Sequence, residues 1–161
     1  MKLYVISRNQ ETIDLWKAIL SEVGSIQFSS DPPAWPDIDA IVMSGKWAFD
    51  RYGGRPSRES AQVLQNDRDD GLPRRVIVPP FRPVVIREDE ARIREDYENV
   101  SPTYFAFLES LLAASREFDQ SCRIAFYLPM LGMDQPSDES TPRSAARAIK
   151  IWLTEYGGSL W

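Results

Sequence analysis

Short apolar runs alternate along this chain with longer stretches whose apolar residues recur at helical spacing, and that alternation restricts the fold most. Lys2 to Ser7 is β-branched and alternating, which reads as a strand. Asn9 then stands as a cap before Ile13, Trp16, Ile19, Leu20 and Val23, one apolar face of a helix that Gly24 ends. Further strands are expected at Ser25–Ser29, Ile38–Met43, Val76–Val78 and Arg123–Leu128. Pro56 and Ser57 read as the start of a helix reaching about Asp67, after a turn at Gly53 and Gly54. Ser101-Pro102 and Thr141-Pro142 each pair a capping residue with a first-turn proline. The helices behind them bury Phe105, Leu108, Leu111, Leu112 and Phe118, and Ala145, Ala148, Ile149 and Trp152; the second stops at Gly157-Gly158.

No repeat or linker interrupts this order, and 161 residues are enough for one domain to bury roughly 70% of its unfolded surface. The expected fold is α/β: a single domain over residues 1–161, a three-layer α/β/α sandwich around a mixed central sheet. The prolines at 32, 33 and 36 demand a loop, because a proline cannot donate to a sheet ladder. The densely charged Arg87–Glu98 stretch reads as a solvated, partly helical surface.

Histidine is absent. Its absence excludes Ser-His-Asp and Cys-His catalysis, histidine-ligated zinc and a histidine base. Catalysis, if present, falls to carboxylates, Lys, Arg, Tyr, Ser or the backbone. The single cysteine, Cys122, rules out an intramolecular disulfide and reads as a buried thiol. No metal and no cofactor are expected. The net charge of −5 argues against a nucleic-acid groove, which ordinarily carries a basic face. Fifteen of the nineteen basic residues are arginine, the better fork for phosphate, although codon bias explains that ratio as well. No cleavable leader pattern and no window of about 20 apolar residues occurs, so the expectation is a cytoplasmic protein without membrane partners.

In sheets of this kind ligands collect beyond the carboxyl ends of the strands. The loops expected there are Ser44–Gly54 and Pro129–Ser140. Ser44-Gly45-Lys46 is not a Walker loop: no glycine lies five residues upstream, and Trp47 occupies the Ser/Thr position. Glycines do allow close backbone approach, and a helix start offers N–H groups to an anion. Asp134, Asp138 and Glu139 are acid or base candidates or a plain acidic loop; Trp35 and Trp47 are base-stacking candidates or plain anchors.

The run from Asp39 to Lys46, followed by Gly53-Gly54, resembles the macro-domain pattern in which DAIVNxAN precedes a glycine-rich loop. Leu72 to Val78 is similar to that family's LPxxYVIH strand. Ile124 to Gly132, followed by an acidic turn and Ser144-Ala-Ala-Arg-Ala148, is similar to IAFPxLGTG followed by EEAARA. The family's closing strand and helix are missing after Tyr156, and Lys2 to Trp16 is similar to that missing pair. The resemblance therefore implies a circularly permuted macro-like fold.

By this resemblance the chain binds ADP-ribose or a related adenine nucleotide. It places Asp31 on the adenine amine, Arg8 and Asn9 beside the adenine ring, and Ser44, Gly45, Lys46, Gly53, Gly54, Gly132 and Asp134 along the ligand, the glycines at the diphosphate. Met43 and Lys46 replace two asparagines, the second of which orients the attacking water, so glycohydrolase activity is not expected. Asp134 replaces a glycine and sets a negative charge near the phosphates. Two other readings accompany this one. One is a nucleotide-processing hydrolase or transferase with Asp31, Asp50 or Asp134 as base; the other is a protein-interaction module using Arg87–Glu98, Trp35 and Trp47.

Overall fold

A computed structural model describes residues 1–30, 35–81 and 101–161. The expectations for Asp31, for Pro32 and Pro33, and for Arg87–Glu98 lie outside the described residues. Six strands form one mixed sheet: β1 (Lys2–Ile6), β2 (Ile26–Ser29), β3 (Ala40–Val42), β4 (Gln62–Gln65), β5 (Arg75–Val78) and β6 (Arg123–Tyr127). Their spatial order is β2-β1-β6-β3-β5-β4. All neighbours run parallel except β4, which pairs antiparallel with β5 at the edge. The strand from Lys2 thus sits inside the sheet, with Leu3 opposite both Ile26 and Ile124.

Five α-helices are described: α1 (Gln10–Leu20), α2 (Gly45–Tyr52), α3 (Pro102–Glu117), a single turn α4 (Leu128–Leu131) and α5 (Ser140–Glu155). Side-chain alternation along each central strand feeds two cores. Leu3, Val5, Ala40, Val42, Ile124 and Phe126 face the side covered by α1, α3 and α5. Ile6, Ile41, Met43, Ala125 and Tyr127 face the thinner cover of α2 and Trp35. The thick side is fixed by a stack of fully buried rings, with Phe107 4.1 Å from Phe126 and nearly parallel to it, and 5.7 Å from Trp16. Phe107 was absent from the apolar stripe expected for α3, whose Phe105, Leu112 and Phe118 are only half-buried.

The caps explain most helix starts. Asn9 accepts from the Glu11 N–H, and Ser101 accepts from the Tyr104 N–H at 3.1 Å with Pro102 in the first turn. At α5 the cap position falls at Glu139, whose side chain makes no cap bond. Asp138 does that work instead: its carboxylate accepts from the N–H groups of Ser140 and Thr141 and from both hydroxyls.

Three expectations are corrected. The glycine pair does not precede a helix. Gly53, at φ +83°, ends α2, a conformation that favours glycine over residues bearing a Cβ. The segment expected as a helix from Pro56 to Asp67 instead carries β4, because the β5 edge offers Gln62–Gln65 a ladder that local sequence does not reveal. Neither expected loop is free of helix: Ser44–Gly54 holds α2 over Gly45–Tyr52, and Pro129–Ser140 begins with α4. No helix among the described residues is long and apolar enough to cross a membrane.

Candidate functional site

The chain leaves β1 toward β2 on one side and leaves β3 toward β5 on the other, with β6 between them. The carboxyl ends of β1, β6 and β3 therefore flank the point where the winding reverses, the usual place for a ligand crevice. At the end of β3, Met43 donates its N–H to Ile77 O, and the next residue, Ser44, donates to Met130 O at 3.0 Å. Those two bonds fix where α2 begins. Ser44 O accepts from the Trp47 and Ala48 N–H groups, while the N–H groups of Gly45 and Lys46 precede any intrahelical acceptor.

The start of α2 opens on a cavity of about 690 Å³ lined by Ser44, Gly45, Lys46, Phe49 and Asp50 on one wall. Pro56, Ser57, Val78, Pro79 and Phe81 make the opposite wall, tied together by the Phe81 N–H donating to Ser57 O at 2.7 Å. A smaller cavity of about 380 Å³ shares Ser44, Gly45, Pro79 and Phe81 and continues to Thr103, Gly132, Met133 and Thr141. Both volumes fall in the range of small-molecule pockets. Gly45 is constrained here by packing rather than by backbone dihedral: a Cβ on it would lie 2.3 Å from the Phe49 ring, which would have to shift.

The candidate residues divide into three places. Ser44, Gly45 and Lys46 line the larger cavity, and Gly132, in a left-handed turn after α4, lines the smaller. Gly53 and Gly54 do not line either. They sit at the far end of α2, about 12 Å from its start at 1.5 Å per residue. A Cβ on Gly54 would meet Leu64 and Gln62 of β4.

Arg8, Asn9 and Asp134 gather at the end of β1. Arg8 Nε donates to the Tyr127 hydroxyl at 3.0 Å, and Trp35 meets Tyr127 edge-on. Asn9 is engaged as the α1 cap, its own N–H donating to Ser7 Oγ at 2.9 Å. The fully buried Ser7 hydroxyl donates to Asp134, so that carboxylate ties the turn after β6 to β1. At two strand spacings this cluster lies about 10 Å along the sheet from Ser44.

Phe49, Ser57, Phe81, Thr103 and Thr141 were not anticipated at the site. Phe49 carried a signal, standing one helical turn after Gly45; Ser57 and Phe81 arrive only through the pairing of β4 with β5. Cys122 is buried beside the start of β6, and burial pushes its thiol above the usual range, which disfavours the nucleophilic thiolate. No protein-family model matches the chain, and no curated protein matches it.

Proposed function

We propose that the chain binds ADP-ribose or a related adenine nucleotide in the cavity at the start of α2, without glycohydrolase activity. The supporting observation is the cavity itself: about 690 Å³ at the carboxyl edge of β3 and β5, lined by Gly45 and Lys46 at the start of α2. A helix start and a cation favour a diphosphate in that place. Phe49 and Phe81 supply the apolar faces a base requires, and the smaller cavity beyond Ser44 supplies room and the Thr103 hydroxyl for a sugar. Asp50 is the cleft carboxylate available to a hydrolase, but Lys46 takes the place of the water-orienting asparagine of the family pattern.

Calorimetry against ADP-ribose, ADP, NAD and cyclic ADP-ribose tests the proposal. ADP-ribose or ADP should bind, and Lys46→Ala should weaken it by roughly 1.5–3 kcal/mol, the usual worth of a hydrogen bond to a charged group. No ADP-ribose should be released from a modified protein. Absence of binding to all four ligands would refute the reading. The exposure of Phe81 (66%) and Trp47 (39%) favours a second reading, a protein-interaction module, which that result would promote.

A further inference from the structure

The whole-chain charge of −5 conceals a local reversal. Between positions 46 and 58 stand Lys46, Arg51, Arg55 and Arg58 against Asp50 alone, a net +3 that leaves −8 on the remainder. Lys46, Arg51 and Arg55 are exposed and make no ion pair with any described residue. Along α2, Lys46, Phe49 and Asp50 turn toward the cavity while Ala48 packs into the core. Trp47 and Arg51, four residues apart, share the adjoining stripe. The Trp47 ring has the Lys46 ammonium 6.0 Å and the Arg51 guanidinium 5.8 Å from its centre and remains 39% exposed.

We propose that this stripe and the cavity beside it bind a single-stranded nucleic acid, with the terminal nucleotide in the cavity and the next base on Trp47. This rests on the nucleotide reading of the cavity and extends it from a free nucleotide to the end of a strand. An exposed indole with two cations beside its ring is the stacking and charge arrangement that holds single strands without reading sequence. An acidic peptide would satisfy the cations but offers no planar ring to Trp47 or Phe81.

The test is fluorescence anisotropy of a labelled oligoadenylate of about ten nucleotides, alongside calorimetry with ADP-ribose on the same samples. The oligonucleotide should bind more tightly than ADP-ribose and be displaced by it. Its affinity should fall with salt at a log–log slope of about −2, as for two or three neutralised phosphates on a single strand. Trp47→Ala and Arg51→Glu should each weaken the oligonucleotide by roughly tenfold and leave ADP-ribose within about twofold. Binding of ADP-ribose with no gain for the oligonucleotide would overturn the proposal and spare the cavity reading. Oligonucleotide binding without ADP-ribose binding would overturn the terminal-nucleotide placement together with that reading. Displacement by a polyglutamate peptide as effective as by unlabelled oligonucleotide would overturn it in favour of an acidic protein partner.

Discussion

Replacing Gly45 by alanine separates the binding role of the cavity from its structural role. The new Cβ would sit 2.3 Å from Phe49 Cε2 and 2.8 Å from both Cδ2 and Cζ, so the ring has to move. Its neighbours Ala48 and Tyr52 pack toward the core, and the open direction is the cavity that Phe49 already lines. In the free protein the opposing terms nearly cancel. A ring pushed off its rotamer costs about 0.5–1.5 kcal/mol, whereas alanine improves on glycine in a helix by up to about 1 kcal/mol. The melting temperature should therefore stay within about 2–4 °C, the shift expected from 1 kcal/mol in a domain of this size.

In the proposed ADP-ribose complex the same methyl and the displaced ring would compete with the ligand for space. Overpacking of about 1–3 kcal/mol corresponds to a loss of affinity of roughly 5- to 150-fold. Calorimetry with ADP-ribose and a thermal melt on one preparation read both quantities. Gly53→Ala is the control: φ is +83° there and Gly53 lines neither cavity, so the melt should drop with affinity unchanged. Unchanged affinity in a well-folded Gly45→Ala protein would show that the ligand does not occupy this cavity. Loss of the fold would show that Phe49 cannot yield, refuting the packing argument.

Phe107→Ala, which removes the ring between Trp16 and Phe126, should cost about 3–5 kcal/mol in chemical denaturation. Asp138→Ala should cost about 1 kcal/mol through the lost cap on α5. Burial raises the Asp138 carboxyl, but the hydrogen bonds from Thr141 and Ser140 outweigh it and hold the group below its ordinary 3.8. A depressed folded value means that this contribution is complete above pH 3.8 and disappears as pH falls through the lower folded value. The difference between the two proteins, measured by urea titration, should accordingly vanish in acid; a difference that persists there would refute the assignment. Asp134→Ala leaves the buried Ser7 hydroxyl without its acceptor and should destabilise by roughly 1–3 kcal/mol, even if removing the charge tightens a diphosphate ligand.

Much of the architecture follows from local chemistry alone. The short apolar runs at Lys2–Ile6 and Arg123–Tyr127 lack helical spacing, and Asn9 and Ser101 satisfy the first N–H groups of helices whose apolar stripes need a sheet to cover them. Those signals act within a few residues, which is why they can be read from order in the chain. The edge strand Gln62–Gln65 gave no such signal. Its ladder partner lies on β5, and only that pairing turns a segment with a helix-like start into a strand.

The site divides in the same way. Ser44, Gly45 and Lys46 were recognisable because a buried strand ending in a glycine turn is itself a local pattern. Phe81 and Thr103 face that turn because the sheet places β5 beside β3 and sets the start of α3 across the cavity from Ser44. Gly53 and Gly54 show the reverse case: near the turn in sequence, they are carried away from it by the length of α2. Sequence settled most of the strands and helices, Gln62–Gln65 and Gly45–Tyr52 excepted. The order of strands, which no short-range interaction encodes, decided which of their ends meet.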